Sequence, residues 1–168
     1  MLTDAIRLVL FPAMMAFAAS SDLLTMTISN RVSLILVGSF YALALASGMN
    51  AGDMLSHTGA AGIVLLVAFG CFARGWIGGG DAKLAAATAL WLGFDFLMTY
   101  FVYASLFGGM LTLVLIQFRM QPLSPMLAGQ EWAERLHSKD AGVPYGIALA
   151  AAALAIYPDT PWMAAIAM

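Results

Sequence analysis

Long apolar stretches alternate along the chain with short clusters of polar residues and glycine. Residues 2–21 carry Asp4 and Arg7 as their only charges, and residues 32–52 run without any. A third stretch, from about 57 to 75, ends at Arg74. A fourth follows Gly80, is uncharged over 84–94 and stops at Asp95; a fifth covers 96–118, and a sixth, about 143–157, lies between Asp140 and Asp159. Some 20 apolar residues of helix cross a hydrocarbon core. The pattern therefore predicts an all-α fold, a polytopic membrane helix bundle of about six transmembrane helices, with residues 1–168 as a single domain. The fourth stretch stands apart. Counted from Gly80 it is about 20 Å long at 1.5 Å per residue, against a core of about 30 Å. Either the bilayer thins there or the helix starts beside a water-filled cavity, and in both cases Asp81 lies below the headgroups, held by protein.

The links add detail. Asp22 to Asn30 (DLLTMTISN) reads as a polar-punctuated link, and 48–57, with Gly48, Asn50, Gly52, Asp53 and His57, as a short loop. His57, at its edge, has no neighbouring ligand type and fits an interfacial or capping role. Residues 119–142 form the one sizeable polar stretch. In it, Trp132 and Leu136 stand four apart, as do Glu131 and Arg135, which suits a short helix on the membrane surface as well as a solvated loop. Residues beyond Tyr157, with Pro158, Pro161 and Trp162, read as an outer interfacial tail.

Composition agrees with a membrane protein. The chain is 62% hydrophobic and 10% charged, with a mean hydropathy of +0.91, too few charges to cover a soluble domain of this size. A net charge of -2 and the lack of a Lys/Arg cluster argue against a nucleic-acid partner. The single cysteine, Cys71, excludes an internal disulfide and a CxxC zinc site, and its apolar surroundings predict a small buried residue. No cofactor and no metal are expected.

Charge also sets an orientation. Six spans put Arg31, Arg74, Lys83, Arg119, Arg135 and Lys139, six of the seven basic residues, on one side. The positive-inside rule makes that side cytoplasmic and leaves Arg7 as the one dissenter. Arg7, the apolar run from Leu8 to Phe17 and Ala16-Phe17-Ala18 also have the outline of a cleavable signal peptide, but cleavage would invert the first link against the charge bias.

On this topology Asp22, ending the first span, and Asp81, starting the fourth, reach the same surface. A carboxylate beside membrane-length apolar sequence is costly and by default functional. Two carboxyls sharing one site cannot both ionise easily, so one is charged while the other keeps its proton. The charged member can then activate water against a peptide carbonyl while the protonated member polarises that carbonyl and helps protonate the leaving amine. Gly78, Gly79 and Gly80 beside Asp81 would permit positive φ and close approach of another backbone, such as an extended substrate segment added as a strand. Two other readings fit less of the pattern. One is a Ser/Lys peptidase using Lys83 with Ser20, Ser21 or Ser29. The other is a small proton- or ion-coupled transporter with Asp22 and Asp81 as carriers.

Asp22-Leu-Leu-Thr-Met-Thr-Ile-Ser-Asn30, Gly78-Gly79-Gly80-Asp81-Ala82-Lys83-Leu84 and Val143-Pro144-Tyr145-Gly146 together resemble the type IV prepilin peptidases, GxGD aspartyl proteases of the bacterial inner membrane. The likeness is to the short form associated with tight-adherence (Flp-type) pili, and covers about residues 10–157. It implies removal of a short basic leader from a prepilin at the cytoplasmic face, with Asp22 and Asp81 as the catalytic acids. Asn30, Gly78, Gly80, Lys83, Pro144 and Gly146 fall on supporting motif positions. The long forms add a CxxC-bearing cytoplasmic domain with N-methyltransferase activity; nothing here corresponds to it, so a peptidase without methylation is implied. Glu131, Glu134 and Asp140 could attract a basic leader or form a solvated face.

Overall fold

The computed structural model describes the backbone of residues 2–167 and the side chains of 3–164. Its helices are α1 (Leu2–Thr25), α2 (Asn30–Ala46), α3 (Ala51–Ala73), α4 (Gly79–Met120), α5 (Glu131–His137), α6 (Tyr145–Ile156) and α7 (Pro161–Ala167), with a 3-10 turn at Tyr157–Asp159. Among the described residues Thr3–Thr25, Ala51–Ala73 and Gly79–Met120 are long and apolar enough to cross a membrane, and Asn30–Ala46 and Tyr145–Asp159 are shorter apolar helices. The protein is a polytopic membrane helix bundle.

α4 is folded back on itself. At Gly93 the backbone takes φ 68°, ψ -176° and breaks the helix. A straight helix would separate Asp81 from Ala104 by about 35 Å at 1.5 Å per residue, yet both line one cavity. The arms are therefore antiparallel, and correspond to the fourth and fifth stretches of the hydrophobic pattern. Glycine is needed at the fold: besides the positive φ, a Cβ there would lie 2.9 Å from the His57 ring. That ring is fixed by a 2.8 Å hydrogen bond between Nδ1 and the Leu90 carbonyl. His57 is thus no loop-edge cap but a packing residue within α3.

The first arm, residues 79–92, is the centre of the bundle. From Ala82 every residue but Lys83 is buried, and Ala85, Ala86, Ala87 and Ala89 let neighbouring helices approach on all sides. In lipid such close packing replaces the hydrophobic drive between helices. Trp91 closes the arm, fully buried among Phe11, Phe40 and Trp162. Its Nε1–H donates to the Leu36 carbonyl at 2.9 Å and its own carbonyl accepts from Trp162 Nε1 at 2.8 Å. Interhelical bonds of this kind are worth about 0.6–2 kcal/mol in a membrane.

Several boundaries depart from the sequence reading. α1 continues to Thr25, so Asp22 is helical and the link shrinks to 26–29. α2 ends at Ala46, and most of the expected 48–57 loop is the start of α3, because Asn50 caps that helix by accepting from the Asp53 N–H at 2.8 Å. Of the two readings for 131–136, the helix is adopted, as α5. Trp162 is core, not interfacial tail, because its indole finds the Trp91 carbonyl. Cys71 is only half-buried, lining a groove on α3. Asp4 and Arg7 pair at 3.5 Å along one face of α1.

Candidate active site

Asp22 lies in the last turn of α1, and the chain beyond it is fastened back onto that turn. The Met26 N–H donates to the Asp22 carbonyl at 2.8 Å, with Met26 at φ 54°, closing the helix in the left-handed manner that usually needs glycine. Ser21 Oγ and Thr25 Oγ1 both donate to the Thr27 carbonyl, at 2.8 and 3.3 Å. Arg135 of α5 donates to the Leu24 carbonyl at 2.7 Å, so an orphan carbonyl at the helix end is satisfied from the far loop.

This fastening delivers Ile28 to the middle of the site. A Cβ at Gly80 would sit 3.1 Å from Ile28 Cβ, and one at Gly146 would sit 2.6 Å from Ile28 Cδ1. Ile28 thus wedges between the starts of α4 and α6, and the two glycines are the room it occupies. The signal in sequence was the hydroxyl spacing of Ser21, Thr25 and Thr27, which sequence reasoning left unused.

The Asp22 side chain, 5% exposed, accepts the Gly146 N–H at 2.8 Å. Gly146 is in the first turn of α6, where backbone N–H groups have no partner within the helix. Asp22 therefore caps α6 from another helix. Pro144, fully buried, sets the entry to that turn with φ -71°. Asp81 occupies a comparable place on α4, in the first turn of the helix. A Cβ at Gly78 would lie 2.9 Å from Asp81 Oδ2. Each acid thus faces the positive end of a helix dipole, which favours a negative charge where burial disfavours it.

Both carboxylates line a single cleft of about 350 Å3, with Thr27, Ile28, Asn30 and Gly78 to Gly80, and Lys83 at the rim. Lys83 Nζ donates to Asn30 Oδ1 at 2.8 Å, tying α4 to α2 beside the cleft. None of the serines of the Ser/Lys reading pairs with it: Ser20 and Ser21 donate to the Ala16 and Thr27 carbonyls, and Ser29 accepts from the Arg31 N–H. Of the two uses expected of the glycines, close approach is adopted and positive φ is not. Gly79 and Gly80 are helical and Gly78 has φ -71°, so positive φ is not used and only Gly78 is extended. Close approach is their use, and it is to Ile28 and to Phe72, whose ring would be 3.2 Å from a Cβ at Gly79.

Asp22, Asn30, Gly78, Gly80, Asp81 and Lys83 thus share the cleft, Gly146 bonds to one of its acids, and Pro144 stands behind Gly146. Among the described residues no three His, Cys, Asp or Glu side chains are grouped so as to hold a metal ion. Chemically the cleft, at about 350 Å3, has room for an extended peptide segment with water beside two acids. No curated protein and no solved structure matches the chain. The model of the type IV leader peptidase family matches residues 9–113, more than half of the sequence and the part that contributes both acids, and the chain belongs to that family.

Proposed function

We propose that the protein is an aspartyl endopeptidase of the bacterial inner membrane that removes the short basic leader of a prepilin, of the Flp type, at the cytoplasmic face. The observation that carries this reading is the shared cleft: two carboxylates from α1 and α4, each set against a helix start, line one space of about 350 Å3. One acid, ionised, takes a proton from water as the oxygen attacks the scissile carbonyl. The other, protonated, donates to that carbonyl oxygen, and the proton taken from water goes on to the departing amine. The orientation rests on the basic residues: Arg119 and Arg135 fasten the 121–143 segment at the same end of the bundle as the two acids, and Lys83 joins them there.

Co-expression with a prepilin, read as a gel shift on leader removal, tests the assignment. Asn at position 22 still offers an oxygen to the Gly146 N–H, so that cap survives while the charge is lost. Asp22→Asn and Asp81→Asn should each reduce processing by at least about a hundredfold in protein that is folded and inserted. Normal processing by either variant would overturn the mechanism. Lys83→Ala should stay active; loss of activity in that variant alone would favour a lysine base.

A further inference from the structure

Asp81 borders two cavities of opposite character. One is the polar cleft it shares with Asp22. The other, about 380 Å3, is an apolar groove between α3 and the second arm of α4, with Tyr145 and Leu149 of α6 at its back. Val67, Cys71, Met98, Phe101 and Ser105 form its walls, and Asp81 is the one charged residue in its lining. Along the second arm it runs from Leu97 to Ser105, about 12 Å or a little over two helical turns. Val67 and Met98 are among the most exposed apolar side chains of the molecule, so the groove opens sideways toward lipid.

A second apolar groove of about 490 Å3 lies on the other flank of the first arm, between α2, α3 and α4. It meets the polar cleft at Asn30 and Lys83, not at an acid, and carries the hydroxyls of Ser33, Tyr41 and Thr58. Asp81 is the one residue common to the polar cleft and the first groove, so a chain whose scissile bond lies at Asp81 borders on both. To use the second it would have to cross the Lys83–Asn30 hydrogen bond.

We infer that the groove between α3 and the second arm of α4 seats the apolar segment that adjoins the scissile bond of the substrate, while the polar side of the bond lies in the Asp22–Asp81 cleft. This rests on the peptidase reading and gives it a direction: the substrate enters sideways from the bilayer, and the step from polar to apolar side chains positions the bond. Tyr145 shapes the seat. Its hydroxyl donates to the Ala104 carbonyl at 3.1 Å, and its ring occupies the space that a Cβ at Gly108 would need.

The lone cysteine provides the test. A prepilin with a single cysteine one or two turns into its apolar segment is oxidised in membranes with the Asp81→Asn protein, and disulfide-linked product is scored. Linkage should form with Cys71, and should disappear in a Cys71→Ala, Leu65→Cys chain, whose cysteine lines the other groove. Linkage through Leu65→Cys, or none at either position while the unmodified chain still processes the prepilin, would overturn the groove and leave the peptidase intact. Failure of the unmodified chain to process any prepilin would remove the peptidase reading itself. Val67→Trp, filling the groove from its exposed side, should raise KM about tenfold with kcat kept, as loss of uniform binding requires; a fall in kcat alone would count against the seat.

Discussion

Gly146 shows how closely single residues constrain the site. A methyl group there would stand 2.8 Å from Asp22 Oδ2 and 2.6 Å from Ile28 Cδ1, inside any real contact distance. Ile28 Cδ1, the end of a side chain, can rotate aside, whereas Asp22 is buried and its Oδ2 is held by the Gly146 N–H itself. Gly146→Ala should therefore move the carboxylate. Misplacement by about 1 Å costs about a hundredfold in rate, so kcat should fall by that order with KM little changed, measured with purified enzyme and prepilin. Unchanged kcat would mean that Asp22 does not depend on α6. The two acids and the glycines were legible in sequence because acids beside membrane-length apolar sequence are rare. The use of those glycines was not: whether a missing side chain permits a turn or admits a neighbour depends on Ile28, which no local pattern ties to Gly80 or Gly146.

Among the elements, α4 best separates what the sequence could reveal from what it could not. Its two arms were readable as two apolar stretches divided at Asp95. That a single residue, Gly93, makes the reversal depends on His57 lying over it, a contact between positions far apart in the chain. Gly93→Ala places a side chain at φ +68°, costing about 1–3 kcal/mol in backbone strain, and drives a Cβ into the imidazole. Its thermal midpoint in detergent, followed by circular dichroism, should drop by several degrees, since about 2–4 °C per kcal/mol is usual at this chain length. Gly62→Ala, where an added Cβ meets nothing within 4 Å, should melt no lower than the parent. Equal midpoints for both would show that the reversal does not need glycine. The overlong second stretch and the missed start of α3 have one physical source: Asn50 and Asp53 look like loop residues until their hydrogen bonds place them at a helix start.

For the whole molecule, the hydrophobic pattern conveyed the number of apolar segments, hence the class, and the bias of basic residues, on which the proposed orientation rests. It could not convey which helix is central. The first arm of α4 holds that place because it is short and alanine-rich, and Asp81 at its start is thereby surrounded by protein. The orientation is open to direct measurement. In a Cys71→Ala background, Asn50→Cys and Met126→Cys, both at exposed positions, should be labelled by a membrane-impermeant maleimide from opposite sides of the membrane, Met126→Cys from the cytoplasm. Labelling of both from one side would remove the six-span arrangement and the cytoplasmic site with it.

The hydrogen bond from Gly146 to Asp22 joins positions 124 residues apart, and Gly146 lies outside the stretch matched by the family model. Both acids are present in a chain ending at Met120, yet the one on α1 has no support there. Such a fragment should be inert toward prepilin, and co-expressed residues 121–168 should restore cleavage by docking α6 against it. Leader removal would then report reassembly of two separately inserted pieces.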